Sequence, residues 1–249
     1  MVVYDRATTV IDRIGLPEHR QALMDKIRSY FNIRSTGVVF VLEREDYQNY
    51  RNAMWRQMAV HLNIEVGGVE EMSPQHLLDL MKSQDYSNLI WLSKQACEAQ
   101  NICFAWVLAH ELRHLEQDLW SHTLSKAGHF LLCILGRINI EEPNTQDTVP
   151  TELDADLEAQ RVTRKLFGVE VVDTYVKNES VAGKHRQSFQ IIVSHDLEKR
   201  YDVFGCTVSL LRKYQSQLKE LQKQSEDNFI ATFDIDTTCS ELSRVRTRI

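Results

Sequence analysis

Glycine and proline are scarce, at 9 and 4 in 249 residues, about half the usual share or less. So few breakers predict a helix-rich body. Long hydrophobic runs are missing too. None approaches the roughly 18 residues that a bilayer crossing needs, and Asp5, Arg6, Asp12 and Arg13 interrupt any apolar leader near the start. These absences predict a chain that neither enters a membrane nor follows the secretory route, and so a cytoplasmic one. There is no C-x-x-C pair. Cys97, Cys103, Cys133, Cys206 and Cys239 are odd in number and dispersed, and most have apolar neighbours, which reads as reduced thiols in a reducing compartment. An excess of basic charge is also lacking: 29 Lys and Arg stand against 35 Asp and Glu, a net charge of −6. No nucleic-acid partner is expected, because phosphate binding needs a concentrated basic face. Arg244, Arg246 and Arg248 read as a solvated chain end.

What is present is ordinary globular material, 43% apolar and 26% charged. The length allows one large domain, or a domain with an appendage. Pro17 opens a helical pattern carrying Leu23, Met24, Ile27, Tyr30 and Phe31. Val38 to Leu42 reads as a buried strand, residues 45–62 as a helix, Gly67-Gly68 as a break, and Ser73-Pro74 as the start of another helix to about Lys82. Leu89 to Leu92 is a second strand. Helices follow over Asn101 to Trp120, Leu124 to Ile138 and 151–167, the last stopped by Gly168. Phe189 to Val193 fits a strand. Residues 197–226 read as one charged helix with Leu210, Leu211, Tyr214, Leu218 and Leu221 along a stripe, and the last twenty residues as a frayed tail.

One segment carries chemistry. His110-Glu111-Leu112-Arg113-His114 is an H-E-x-x-H pattern inside a helix. Residues four apart lie about 40° apart around a helix axis, so both imidazoles leave one face and can meet one metal ion. Glu111 sits where its carboxylate can reach a water on that metal without ligating it. Phe104, Leu108, Leu112, Leu115 and Leu119 form an apolar stripe on the opposite side. The bland alternative is a solvated helix face with two stray histidines.

Catalytic zinc usually takes three protein ligands and keeps one open position. A metzincin would place Gly and His three and six residues after the second His; Gln117 and Trp120 stand there instead. Downstream, Glu152 and Asp156 share a helical face, which suits one metal ligand and one acceptor for a ligand imidazole. Thr151 and Asp154 also fit a helix capping box, so an entirely structural reading of these acids stands beside the metal one.

Leu89 to Leu92, then Phe104 to His114, then Glu152-x-x-Ala155-Asp156 together resemble the ImmA/IrrE-type metallopeptidases, gluzincins in which H-E-x-x-H is completed by a Glu in E-x-x-A-D. The resemblance spans roughly residues 85–168, with Arg113 where the family usually has Gly. It implies a helix-dominated α+β fold: a zincin-like catalytic domain with a small sheet and an active-site helix. It further implies Zn2+ held by His110, His114 and Glu152, with Glu111 catalytic and Asp156 supporting.

The function expected is zinc-dependent endoproteolysis of a protein or peptide substrate. An extended substrate segment would add to the edge of the 89–92 strand. His129, Tyr175, His185 and His195 are candidates for stabilising the oxyanion. His122 and His129 could form a second metal pair but read better as ordinary histidines. His19, His61 and His76 read as surface residues on helices. The organisation expected is a helical N-terminal region over 1–84 with a short strand, a catalytic core over 85–175, and a C-terminal helical appendage over 176–249. A zinc-containing protein-binding module without proteolysis is the alternative, and a metal-free helical scaffold a third.

Overall fold

The computed structural model describes residues 18–31, 33, 38–42, 59–63, 78–79, 82, 88–138, 149–182 and 199–247. They form a helix-dominated α+β fold with one small sheet. The order is α1 (Glu18–Arg28), β1 (Val38–Leu42), β2 (Ala59–Asn63), β3 (Asn88–Leu92), α2 (Lys94–Glu98), α3 (Asn101–Trp120), α4 (His122–Ile138), α5 (Pro150–Phe167), α6 (Val169–Ala182), α7 (Val203–Lys213), α8 (Gln215–Lys223), α9 (Asn228–Thr232) and α10 (Ile235–Arg246). The chain groups into two compact units, Met1–Leu119 with Glu158–Gly168, and Trp120–Leu157 with Val169–Ile249.

In the first unit the sheet has the order β1-β3-β2, with β1 parallel and β2 antiparallel to β3. All five residues of β3 are buried. An uninterrupted apolar run is what a strand covered on both faces requires. Both edges of β3 are therefore paired, Ile90 standing opposite Phe40 on one side and His61 on the other. This corrects the expectation that a substrate would add to the 89–92 strand: its main-chain groups are already used, and the outer edges belong to β1 and β2.

Arg20 of α1 is buried, with its guanidinium 4.6 Å from the Phe104 ring centre and Nη2 donating to the Ala99 carbonyl at 2.7 Å. Those contacts tie α1 to α3 alongside the buried Met24 and Ile27. Ser93 caps α2 by accepting from the Ala96 N–H at 3.1 Å. On α3, Phe104, Leu108, Leu112 and Leu115 are fully buried as the stripe requires, whereas Leu119, at its end, is 43% exposed.

The core of the second unit is built by α4 and by α7 to α10, with Phe130, Leu131, Ile134, Leu211, Leu218 and Leu242 at its centre. The Phe130 and Phe233 rings stack at 4.1 Å. Two expectations are corrected here. Residues 197–226 are not one helix: Asp202 caps the start of α7 by accepting from the Gly205 N–H, and Tyr214 separates α7 from α8. The chain end is not frayed up to residue 247. Asp234 caps α10, whose Ile235, Thr238, Cys239 and Leu242 are buried at spacings of 3, 1 and 3. Arg246 closes it with an ion pair to Asp202 at 2.5 Å.

Two more differences concern short elements. Ala59–Asn63 lies in a strand where 45–62 reads as helix; pairing with β3 overrides a local pattern too short to identify itself. Residues 45–58 lie outside the described residues, as do Gly67-Gly68, His76, His185, His195, Arg248 and the 189–193 segment; of 73–82, Leu78, Asp79 and Lys82 are described, and they are helical. Thr151 does not stand at the N-cap either, where a capping box would need it. Pro150 opens α5 and the Leu153 N–H bonds to the Val149 carbonyl at 3.1 Å, so Thr151 already lies inside the first turn. The far end of α5 stops at Gly168, whose φ of +89° is left-handed.

The five cysteines are free thiols. No described helix is long and apolar enough to cross a membrane.

Candidate metal centre

α3 holds its two histidines by being buried almost all round. Ala109, Glu111, Leu112 and Arg113 are buried, while His110 and His114 are half-buried. Their spacing puts the rings on one side of the helix with centroids 4.7 Å apart and planes at 78°. The two Nε2 atoms approach to 3.0 Å. That is the separation at which two imidazoles can share an ion at the 2.0–2.1 Å bond lengths that zinc takes.

Glu152 stands in the first turn of α5. One ligand atom from each of His110, His114 and Glu152 lies within 4.8 Å of the others, and among the described residues no other group of three His, Cys, Asp or Glu side chains converges in this way. Two nitrogens and one carboxylate oxygen suit a borderline divalent ion, zinc among them. The donor set fits.

The remaining acids divide. Glu111 is buried between the two histidines in sequence. Asp154 is buried, and Asp156, one turn beyond Glu152, is half-buried; neither belongs to the converging group. Sequence reasoning assigned the support of a ligand imidazole to Asp156. Gln117 also meets a ligand ring: its Oε1 lies 3.0 Å from His114 Nδ1. A helix places residues three apart side by side, so the signal was present. It was passed over because glutamine is not itself a usual metal ligand.

Below the histidines lies a polar group that the sequence did not announce. Asn63 of β2 donates to the Asp118 carboxylate of α3, and both are buried. His61 Nε2 bonds Asn88 Oδ1 at 2.9 Å across the β2–β3 pair. His61 is therefore a strand residue with a built-in partner, which corrects its reading as a surface helix residue. Burial pushes its pKa down to about 4, against the nearby Asp118 carboxylate and the Asn88 bond, which favour the charged form; His114 adds to the depression.

Among the described residues, His122 and His129 belong to no group of three converging ligands. His129 packs on the Phe229 ring at 5.2 Å with Cys133 Sγ 3.8 Å away, and burial lowers its pKa. Comparison with protein-family models, curated proteins and solved structures finds no match to this chain.

Proposed function

We propose that this chain is a zinc-dependent metalloendopeptidase of zincin-like build that hydrolyses peptide bonds in a protein or peptide substrate in the cytoplasm. The observation that carries the reading is the approach of His110 Nε2 and His114 Nε2 to 3.0 Å on a helix that also carries Glu111, with a Glu152 oxygen in the same group. The resemblance to the ImmA/IrrE-type metallopeptidases supports it through the same residues.

His110, His114 and Glu152 would hold the ion. When bound, zinc supplies Lewis acidity, polarising a carbonyl and bringing the pKa of water to about 7. Glu111 accepts the proton of the attacking water and returns it to the leaving amine, the two-way transfer expected of a carboxylate general base. Burial of Glu111 limits competing solvent around that carboxylate. The fixed helical spacing holds the base and both imidazoles on one rigid element, which preserves their mutual geometry.

Elemental analysis of the purified chain tests the metal, and one equivalent of zinc is expected. Glu111→Gln should keep the zinc and lose peptide hydrolysis. A wild-type chain that holds zinc but cleaves nothing would favour the protein-binding module. Absence of bound zinc under metal-replete conditions would favour the metal-free scaffold.

A further inference from the structure

We infer that Gln117 is the positioning residue of the metal centre: it fixes the ring and the tautomer of His114 so that Nε2 faces the ion. The inference rests on reading His110, His114 and Glu152 as a metal centre. It adds a residue that the resemblance to known peptidases did not supply.

The argument starts from hydrogen-bond inventory. The Gln117 side chain is nearly inaccessible, at 2% exposure, and its Oε1 lies 3.0 Å from His114 Nδ1. An amide oxygen can only accept. With Oε1 turned to the ring, the bond is made when Nδ1 of His114 carries the proton, and in the neutral imidazole that leaves Nε2 with a bare lone pair. That bare nitrogen is the atom 3.0 Å from His110 Nε2, on the side where the ligand atoms converge.

Neutral imidazole otherwise divides itself between two tautomers, and only one of them offers Nε2 as a ligand. An acceptor on Nδ1 removes the choice before the metal arrives. Carboxylates often play this part, and they add negative charge. Glutamine holds the ring without doing so. The residue is also well placed to be rigid, since it sits on the same buried helix as the ring it orients and beside the buried Asp118. A long side chain already immobilised by packing loses little further freedom when it binds the ring.

The test uses the full-length chain with zinc alone as the probe. Zinc affinity is measured by chelator competition in wild type, His110→Ala, Gln117→Leu and Gln117→Glu, and the His114 tautomer in metal-free protein by imidazole 15N NMR. Wild-type His114 should be the Nδ1–H tautomer. Gln117→Leu keeps the volume but removes the acceptor, and should bind zinc about 10- to 100-fold more weakly with the tautomer released. Gln117→Glu restores an acceptor whether ionised or neutral and should recover most of the affinity, a rescue that filling space alone would not produce. Unchanged affinity in Gln117→Leu, or a wild-type His114 in the Nε2–H form, overturns the inference; the latter measurement needs no variant to fold. Failure of the metal-centre reading looks different, because wild type and His110→Ala would then take up zinc equally poorly.

Discussion

Gly128 on α4 and Thr151 on α5 meet so closely that a methyl group on Gly128 would stand 2.5 Å from Thr151 Oγ1 and 2.9 Å from its Cγ2. Thr151 is itself buried and precedes Glu152. The absence of a side chain at Gly128 is thus what lets the first turn of α5 settle against α4. Gly128→Ala should destabilise the chain by about 1–3 kcal/mol, the usual range for overpacking a filled site, despite the better helix propensity of alanine. Chemical denaturation measures it. An unchanged or raised midpoint would show that Thr151 moves aside freely.

Glu152 offers a sharper test of the centre. Glu152→Ala removes a ligand and leaves Pro150 to open α5, so its effect on stability in the absence of metal should be small, within the few tenths to 1 kcal/mol of a first-turn acid near a helix dipole. Zinc affinity should fall by more than the roughly 100-fold that follows loss of a supporting residue. Isothermal titration of zinc checks both halves when combined with a melt of the metal-free protein. Unchanged zinc affinity would move the third ligand to another residue.

How much of this was legible beforehand depends on how far each signal extends along the chain. α3 was readable to its ends, because twenty residues repeat an apolar stripe and carry H-E-x-x-H on the other side. β3 was readable as a strand because Leu89 to Leu92 are apolar without a break. Its central place was not, since strand order depends on β2, and Ala59–Asn63 declares itself only by pairing. α10 was missed although Ile235, Thr238, Cys239 and Leu242 have helical spacing. Thr238 does not register as a core residue in a hydropathy scan and so breaks the apolar period, yet threonine fills space well when its hydroxyl is satisfied locally. Around the centre, the two histidines, Glu111 and Glu152 were named from spacing and resemblance. Gln117 was not, because only its helical spacing from a ligand marks it, and the Asn63–Asp118 contact was not, because it joins residues far apart in sequence with no pattern of their own.

His61 makes the stability of the metal-free chain depend on pH. Its pKa is about 4 when folded, against an ordinary 6.5, so between those values the unfolded chain binds the extra proton and stability falls as pH falls. Above pH 6.5 both states are neutral at this site and the effect vanishes. At about 1.4 kcal/mol per unit, the full loss between pH 6.5 and 4 is on the order of 3 kcal/mol. The carboxylate of Asp118 and the ring of His114 both act on this imidazole, so the attribution needs a variant. His61→Gln keeps a donor toward Asn88 and should flatten this part of the profile. A parallel slope in both proteins would assign the dependence to other groups.

The C-terminal helix should be structural rather than an accessory. Leu242 is fully buried in a core with Leu211, Ile230 and Ile235, and α10 packs against both α7 and α4. Leu242→Ala removes the buried side chain and leaves a space that those fixed neighbours can only partly fill. The cost should be 2–5 kcal/mol, as for other leucines truncated in a core, which is a large share of the 5–15 kcal/mol that holds a typical domain together. Ser240, two residues away on the exposed side of the helix, supplies the control: Ser240→Ala should change stability by less than about 0.5 kcal/mol. Equilibrium unfolding in urea distinguishes the two outcomes. Equal, small effects at both positions would mean that α10 contributes no core, and that the chain end can be removed without consequence for the rest.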